Sequence, residues 1–164
     1  MEGDTICAAT TNIRDEGIDL TQISLRLISL DDLDYVMAWT TDEKVARYCT
    51  WEPYTIKEEG INFKSKYSKN RHKSAELGYA LGSRYWGKGI ATHVVEQVVK
   101  AAFTEFPHLE RLQALIFVEN VGSQRVLLDK ADFQRKGVLR MYAIIKGKRR
   151  DLASYSVLNN DCRS

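Results

Sequence analysis

Arg84-Tyr85-Trp86-Gly87-Lys88-Gly89-Ile90-Ala91 is the stretch on which the reading of this 164-residue chain turns. It lies between a segment that alternates like a strand and one that repeats like a helix. Glycines at 87 and 89 let successive backbone N–H groups converge with no side chain in the way, which makes a nest for phosphate. The helix that follows adds the unpaired N–H donors of its first turn and the positive end of its dipole. A pyrophosphate can therefore be held with no metal, and Arg84 and Lys88 add charge at the rim. The same residues also fit a glycine turn that only joins strand to helix. A dinucleotide fingerprint has glycines two apart as well, but no acidic residue follows a second strand where a ribose contact would need one.

Upstream, Ala75, Leu77, Tyr79 and Leu81 fall on one face and Glu76, Gly78 and Ala80 on the other, so Ala75–Leu81 is expected as a strand. Downstream, Ile90, Val94, Val98 and Ala102 recur at spacing four beside Ala91, Val95, Val99 and Phe103, a wide apolar helical stripe that Pro107 ends. Arg111 to Val118 is an apolar run of strand length, which completes a strand–helix–strand crossover with parallel strands. Gly122 to Ala131 predicts another amphipathic helix. Val138–Ile145 and Asp151–Leu158 read as strands of a hairpin turning at Lys146-Gly147-Lys148.

The first part of the chain says less. Residues 1–21 read as a loose leader, and one domain is expected over 22–160. Ile23 to Ile28 alternates like a first strand. Ser29 with Asp32 resembles a capping box, so a helix should run towards Trp39, with a second short helical turn over Thr41–Tyr48. Thr55 with Glu58 gives a further capping signal. The lysine-rich second half of Lys64–Lys73 reads as a loop and a solvated face.

Bulk properties bound the function. Apolar residues at 44% and charged residues at 28% suit a packed soluble domain. A net charge of +2 will not by itself attract nucleic acid or membrane, so any anion site must be local. No stretch reads as a secretory signal or membrane span, and cytoplasmic location is expected. Neither the three cysteines nor the three histidines show metal-ligand spacing, so no metal is expected.

Arg-x-x-Gly-x-Gly with Tyr-Trp inside it and an Ile-Ala helix start resembles the acetyl-CoA motif of the GCN5-related N-acetyltransferases (GNAT). Ala-Glu-Leu-Gly-Tyr before the loop, Glu119-Asn120 with Ser123, and Gly147-Lys-x-Arg-Asp151 resemble landmarks of the branch that holds ribosomal-protein N-terminal acetyltransferases and their plant relatives. The resemblance runs from about Ile23 to Leu158. It implies the GNAT acyl-CoA N-acyltransferase fold, a mixed α/β sheet flanked by helices. It also implies acetyl-CoA as co-substrate, bound by the loop Arg84 to Ala91 and, through its pantetheine arm, by the strand edge carrying Leu77, Tyr79 and Leu81.

A primary amine, either a protein N-terminus or a small amine, would attack the thioester directly. An amine arriving as ammonium must first lose a proton, and Glu76 is the residue expected to take it, though Glu76 also suits a solvated carboxylate on a half-exposed strand. The resemblance places Asn120 against the pantetheine portion and Ser123 near the thiol, where it would assist the departing thiolate. Asn120 is equally what a helix cap needs. A tyrosine that many relatives carry seven residues beyond the asparagine is here Leu127.

Two departures bear on activity. Gly60–Ser74 has no room for the two antiparallel strands the family places before the Ala75 strand, so a shortened sheet is expected. The family's Val-Leu-Glu-Lys-x-Gly-Phe appears as Val-Leu-Leu-Asp-Lys-Ala-Asp132-Phe133, with a residue inserted and Asp132 in the glycine's place. A truncated isoform that binds acyl-CoA without turnover is the alternative reading, and a dinucleotide-binding module is the third.

Overall fold

The computed structural model describes residues 18–26, 29–49, 73–129 and 131–161. By their contacts the residues group into two compact units, Met1–Lys69 with Ala80–Ile90 and Asn70–Tyr79 with Ala91–Ser164.

The first unit, as described, is helical. Ser29 N–H donates to the Asp32 carboxylate at 2.8 Å, the half of a capping box that the sequence signals. A 3-10 turn over Leu30–Asp32 then passes into helix α1, Leu33–Thr40. Val36 and Thr40 face inward, and the Thr40 hydroxyl is satisfied by donating to Val36 O at 2.8 Å. Asp42 caps α2, Glu43–Ala46, by accepting from Lys44 N–H at 2.9 Å. Asp32, nearly buried, pairs with Arg26, and that hydrogen-bonded guanidinium, ahead of the Ser29 N–H, holds its carboxyl well below the ordinary range. The strand expected over Ile23–Ile28 is not formed at Ile23–Arg26. Alternation supplies a face, but a strand also needs a neighbour for its N–H and C=O groups, and none of the described strands pairs there.

The second unit holds a four-stranded mixed sheet in the order β1-β2-β4-β3. The strands are β1, Ser74–Glu76; β2, Arg111–Phe117; β3, Gln134–Ile145; and β4, Lys148–Leu158. β1 runs parallel to β2, with Ala75 opposite Leu112. β2 and β3 each pair antiparallel with β4. Helix α3, Ile90–Glu105, is the crossover, and helix α4, Val121–Asp129, joins β2 to β3. Val95, Val99 and Ala102 of α3 and Leu127 of α4 pack with Leu112, Ala114, Ala153, Tyr155 and Val157 of the sheet. β4 is buried at 152, 153 and 155–157 in succession, as a strand covered on both faces should be. The hairpin turn has φ 53° at Lys146 and 69° at Gly147. Positive φ at both central residues is the type I′ signature that matches strand twist.

The expected strand Ala75–Leu81 is shorter, ending at Glu76, with one further bond from Leu77 N–H to Gln113 O at 2.7 Å. Beyond it the pleat continues in the sequence but not in the pairing. The expected helix at Thr55 and almost all of Gly60–Ser74, where two family strands would stand, lie outside the described residues. Among the described residues no helix is long and apolar enough to cross a membrane.

Candidate active site

Gly82 starts a 3-10 turn over Ser83–Tyr85, tied down from one side by Asp42, whose Oδ2 accepts from Ser83 N–H at 3.2 Å. Hydrogen bonding from Ser83, together with the α2 cap, lowers the Asp42 carboxyl below its ordinary value. From the other side Trp86 Nε1 donates to Leu81 O at 2.8 Å, and the Trp86 ring lies 6.5 Å from that of Tyr48. The Arg84 guanidinium sits 4.6 Å over the Tyr85 ring. Asp42 carries no signal in the glycine motif, and nothing local in the sequence links it to Ser83.

After this anchored turn the backbone alternates in hand. Gly87 and Gly89 have φ 73° and 76°, while Lys88 between them keeps an ordinary negative φ. Alternating hand turns consecutive N–H groups to one side, which is the nest geometry. All three residues are exposed, and nothing stands within 4 Å of where a Gly87 Cβ would be. Ile90, buried, begins α3 directly after Gly89, and Ala91 follows in its first turn. The loop thus has converging donors and a helix start in continuous chain, the features a pyrophosphate requires.

In the sheet unit, Glu76 is exposed at the end of β1 opposite Gln113. Among the described residues no main-chain hydrogen bond involves Gly78, Tyr79 or Ala80. That leaves polar backbone for a ligand, although Leu77 N–H is taken by the sheet and Leu81 C=O by Trp86. The Tyr79 hydroxyl donates to Ser123 O at 3.3 Å, and burial pushes its pKa up to about 12.

Asn120 and Ser123 meet as the sequence spacing suggested. Ser123 N–H donates to Asn120 Oδ1 at 3.1 Å, an N-cap bond that fixes which way the amide points. Asn120 Nδ2 therefore faces the Ser123 hydroxyl and donates to Oγ at 3.0 Å. With its oxygen receiving the amide, the Ser123 hydroxyl is left to donate its own proton elsewhere. Gln124 then pins this turn, donating to Val118 O at 2.8 Å and accepting from the fully buried Tyr155 hydroxyl at 2.8 Å. Gln124 and Tyr155 were missed in the sequence, since a glutamine on a helix and a core tyrosine have no distinctive spacing. Leu127, at the position of the relatives' tyrosine, is wholly buried in the core.

Comparison with known proteins agrees with this architecture. The family model "Acetyltransferase (GNAT) domain" matches residues 60–134. The "Uncharacterized N-acetyltransferase p20" of Bacillus licheniformis is 28% identical over 170 residues, covering 85% of this chain and 94% of that protein. The "Uncharacterized N-acetyltransferase YoaA" of Bacillus subtilis is 28% identical, covering 86% and 96%. Among solved structures, an acetyltransferase (GNAT family) from Bacillus anthracis superposes with a TM-score of 0.75 at 22% identity, covering 83% of this chain and 95% of that one. Spermidine N-acetyltransferase from Vibrio cholerae, in complex with CoA and spermine, gives 0.72 at 20%, covering 86% and 98%.

The fold is that of the GNAT acetyltransferases. Its relatives and structural neighbours are N-acetyltransferases, consistent with an enzyme that transfers acetyl groups.

Proposed function

We propose that the chain acetylates a primary amine, either a protein N-terminus or a small amine, from acetyl-CoA. The observation that carries this reading is the alternating Gly87-Lys88-Gly89 backbone opening directly into α3. The pyrophosphate would rest on Tyr85 to Ala91, with Trp86 bracing the turn and Arg84 and Lys88 at its rim. The pantetheine arm would take main-chain bonds along Leu77, Tyr79 and Leu81 and a contact from Asn120.

The chemistry is one bond for another. The amine nitrogen bonds to the thioester carbonyl carbon and the carbon–sulfur bond breaks. An ammonium acceptor loses its first proton to Glu76, directly or through water, before attack, and the second passes to solvent as the amide forms. The sulfur leaves as thiolate, accepting a hydrogen bond and then a proton at the Ser123 hydroxyl, which solvent restores. Asn120 serves here by holding the Ser123 oxygen as acceptor.

The p20 alignment runs over 170 residues yet takes in only 85% of this chain. Part of that relative therefore has no counterpart here, which supports the reading of a shortened sheet. It keeps the non-catalytic acyl-CoA binder as a second reading.

Calorimetric titration with acetyl-CoA tests the loop, and Gly89→Trp should abolish binding; unchanged affinity in that variant sinks the assignment. Transfer to a panel of peptides and amines tests catalysis, with Ser123→Ala expected to lower kcat by roughly tenfold or more. Tight acetyl-CoA binding with no transfer to any acceptor would favour the non-catalytic reading.

A further inference from the structure

The two faces of the sheet differ where β1 and β2 part. Ala75, Leu112 and Val157 lie in register across β1, β2 and β4 and pack into the core with α3 and α4. One residue away on each strand, Glu76, Gln113 and Ser156 are likewise in register, so their side chains stand on the opposite face. Gln134 of β3 continues this polar row. Further along, the same face turns apolar, with Phe117 and its partner Leu152 both buried.

Ser156 is the odd member of the row. It is 1% exposed, and its hydroxyl has no hydrogen-bond partner among the described residues. A buried hydroxyl left unmet is costly, and alanine would serve a plain packing position better. Gln134, on one side of it, turns its carbonyl to Lys136 Nζ at 2.9 Å. Gln113, on the other side, is half-buried and directly opposite, near enough for its amide to reach the hydroxyl.

The row also marks the parting of the strands. Glu76 with Gln113 is the last pair of β1 and β2, and the strands separate after one further bond, from Leu77 N–H to Gln113 O at 2.7 Å. Ser123, the candidate donor to the leaving sulfur, is on α4, whose Leu127 packs against the other face. An amine that attacks the same carbonyl carbon from the far side reaches Glu76 and Gln113. Glu76 makes no ion pair among the described residues, so its charge is open to a cation.

From the register, the orphaned hydroxyl and the parting of the strands we propose that Gln113 binds the acceptor's ammonium beside Glu76, with Ser156 as its positioning residue. In this seat, which rests on the acetyltransferase reading, the ammonium donates to the Glu76 carboxylate and to Gln113 Oε1. Gln113 Nε2 donates to Ser156 Oγ, which turns the amide oxygen towards the cation. A neutral amide suits the place, because a second carboxylate there would make the pair hold a proton and leave Glu76 unable to take one.

The probe is methylammonium, titrated into the isotope-labelled full chain saturated with CoA, so that no turnover occurs, and followed by NMR at the Gln113 side-chain amide. Tetramethylammonium, which has the charge but no N–H, and N-methylacetamide, the acetylated counterpart, are the comparisons. Methylammonium should shift the amide saturably, with both others binding at least about tenfold more weakly. Gln113→Met, which keeps the side-chain length, and Ser156→Ala should each weaken methylammonium by about threefold to tenfold while CoA affinity stays unchanged. A hydroxyl with no role predicts the reverse for Ser156→Ala: methylammonium affinity unchanged and a thermal midpoint equal or higher. That result, the absence of a saturable shift, or equal binding of tetramethylammonium overturns the assignment. A chain that fails to bind CoA at all sinks the acetyltransferase reading and this seat with it, whereas a CoA-bound chain that does not discriminate methylammonium sinks the seat alone.

Discussion

Tyr79 keeps its proton far into alkaline solution, because burial raises its pKa from 10.0 to about 12. At neutral pH it is therefore a fixed donor to Ser123 O and contributes no titration to a rate profile. The sign of the linkage follows: the stability from burying the neutral phenol is complete below pH 10.0 and is lost as pH rises from there through about 12. Over that window the wild-type chain should lose stability more steeply than Tyr79→Phe, by up to about 1.4 kcal/mol per pH unit. Parallel slopes in urea unfolding would remove Tyr79 from this role.

Asp132 is the second instructive residue. The sequence offered an Asp where relatives place glycine, and the structure puts it at φ 54°, in the left-handed region a glycine would occupy. The turn is thus retained and carried by an aspartate, which tolerates αL better than most residues do. Asp132→Gly should change stability by less than about 1 kcal/mol, whereas Asp132→Val should cost about 1–2 kcal/mol. Chemical denaturation of the pair checks this.

At the scale of elements, the turn from β2 into α4 is held by groups from three directions: Tyr79, Val118 at the end of β2, and Tyr155 in β4 through Gln124. Asn120–Ser123 is consequently a preset donor rather than a floppy cap. Gln124→Met keeps the side-chain length but removes both bonds, and Tyr155→Phe removes one. Each should lower kcat by about threefold to tenfold with little change in KM for acetyl-CoA, and the double variant should be no worse than Gln124→Met, since both act through one network. Multiplying effects in the double variant, or an unchanged kcat in Gln124→Met, would show that the network only supports the core.

Elements were legible where a period and a stop signal coincide. α3 has its stripe and Pro107, and the β3–β4 hairpin has Lys146-Gly147. The Asn120–Ser123 pair was legible because a cap needs that spacing. Ile23–Arg26 was misread since alternation says nothing of whether a partner strand exists, and Ala75–Leu81 was overextended for the same reason. Asp42 and Gln124 act across long separations in sequence, to Ser83 and Tyr155, and no local pattern encodes such contacts.

For the whole molecule, what remains decisive is whether acetyl-CoA binds the folded chain at all. The glycine loop is built from contiguous residues and its anchors Asp42 and Tyr48 are near it, so it can form without every strand the relatives possess. A ligand that binds only the native state stabilises it by mass action, about 2.7 kcal/mol at a free concentration one hundred times Kd. For a chain of this size that corresponds to a rise in Tm of roughly 5–10 °C. The rise should disappear in Gly89→Trp and persist in Ser123→Ala, because the first alters the phosphate cradle and the second only the thiol end. A cooperative melt that acetyl-CoA does not move would mean that the loop geometry survives without its ligand, and the acetyl-transfer reading would then fail at its first step, before any question of acceptor arises.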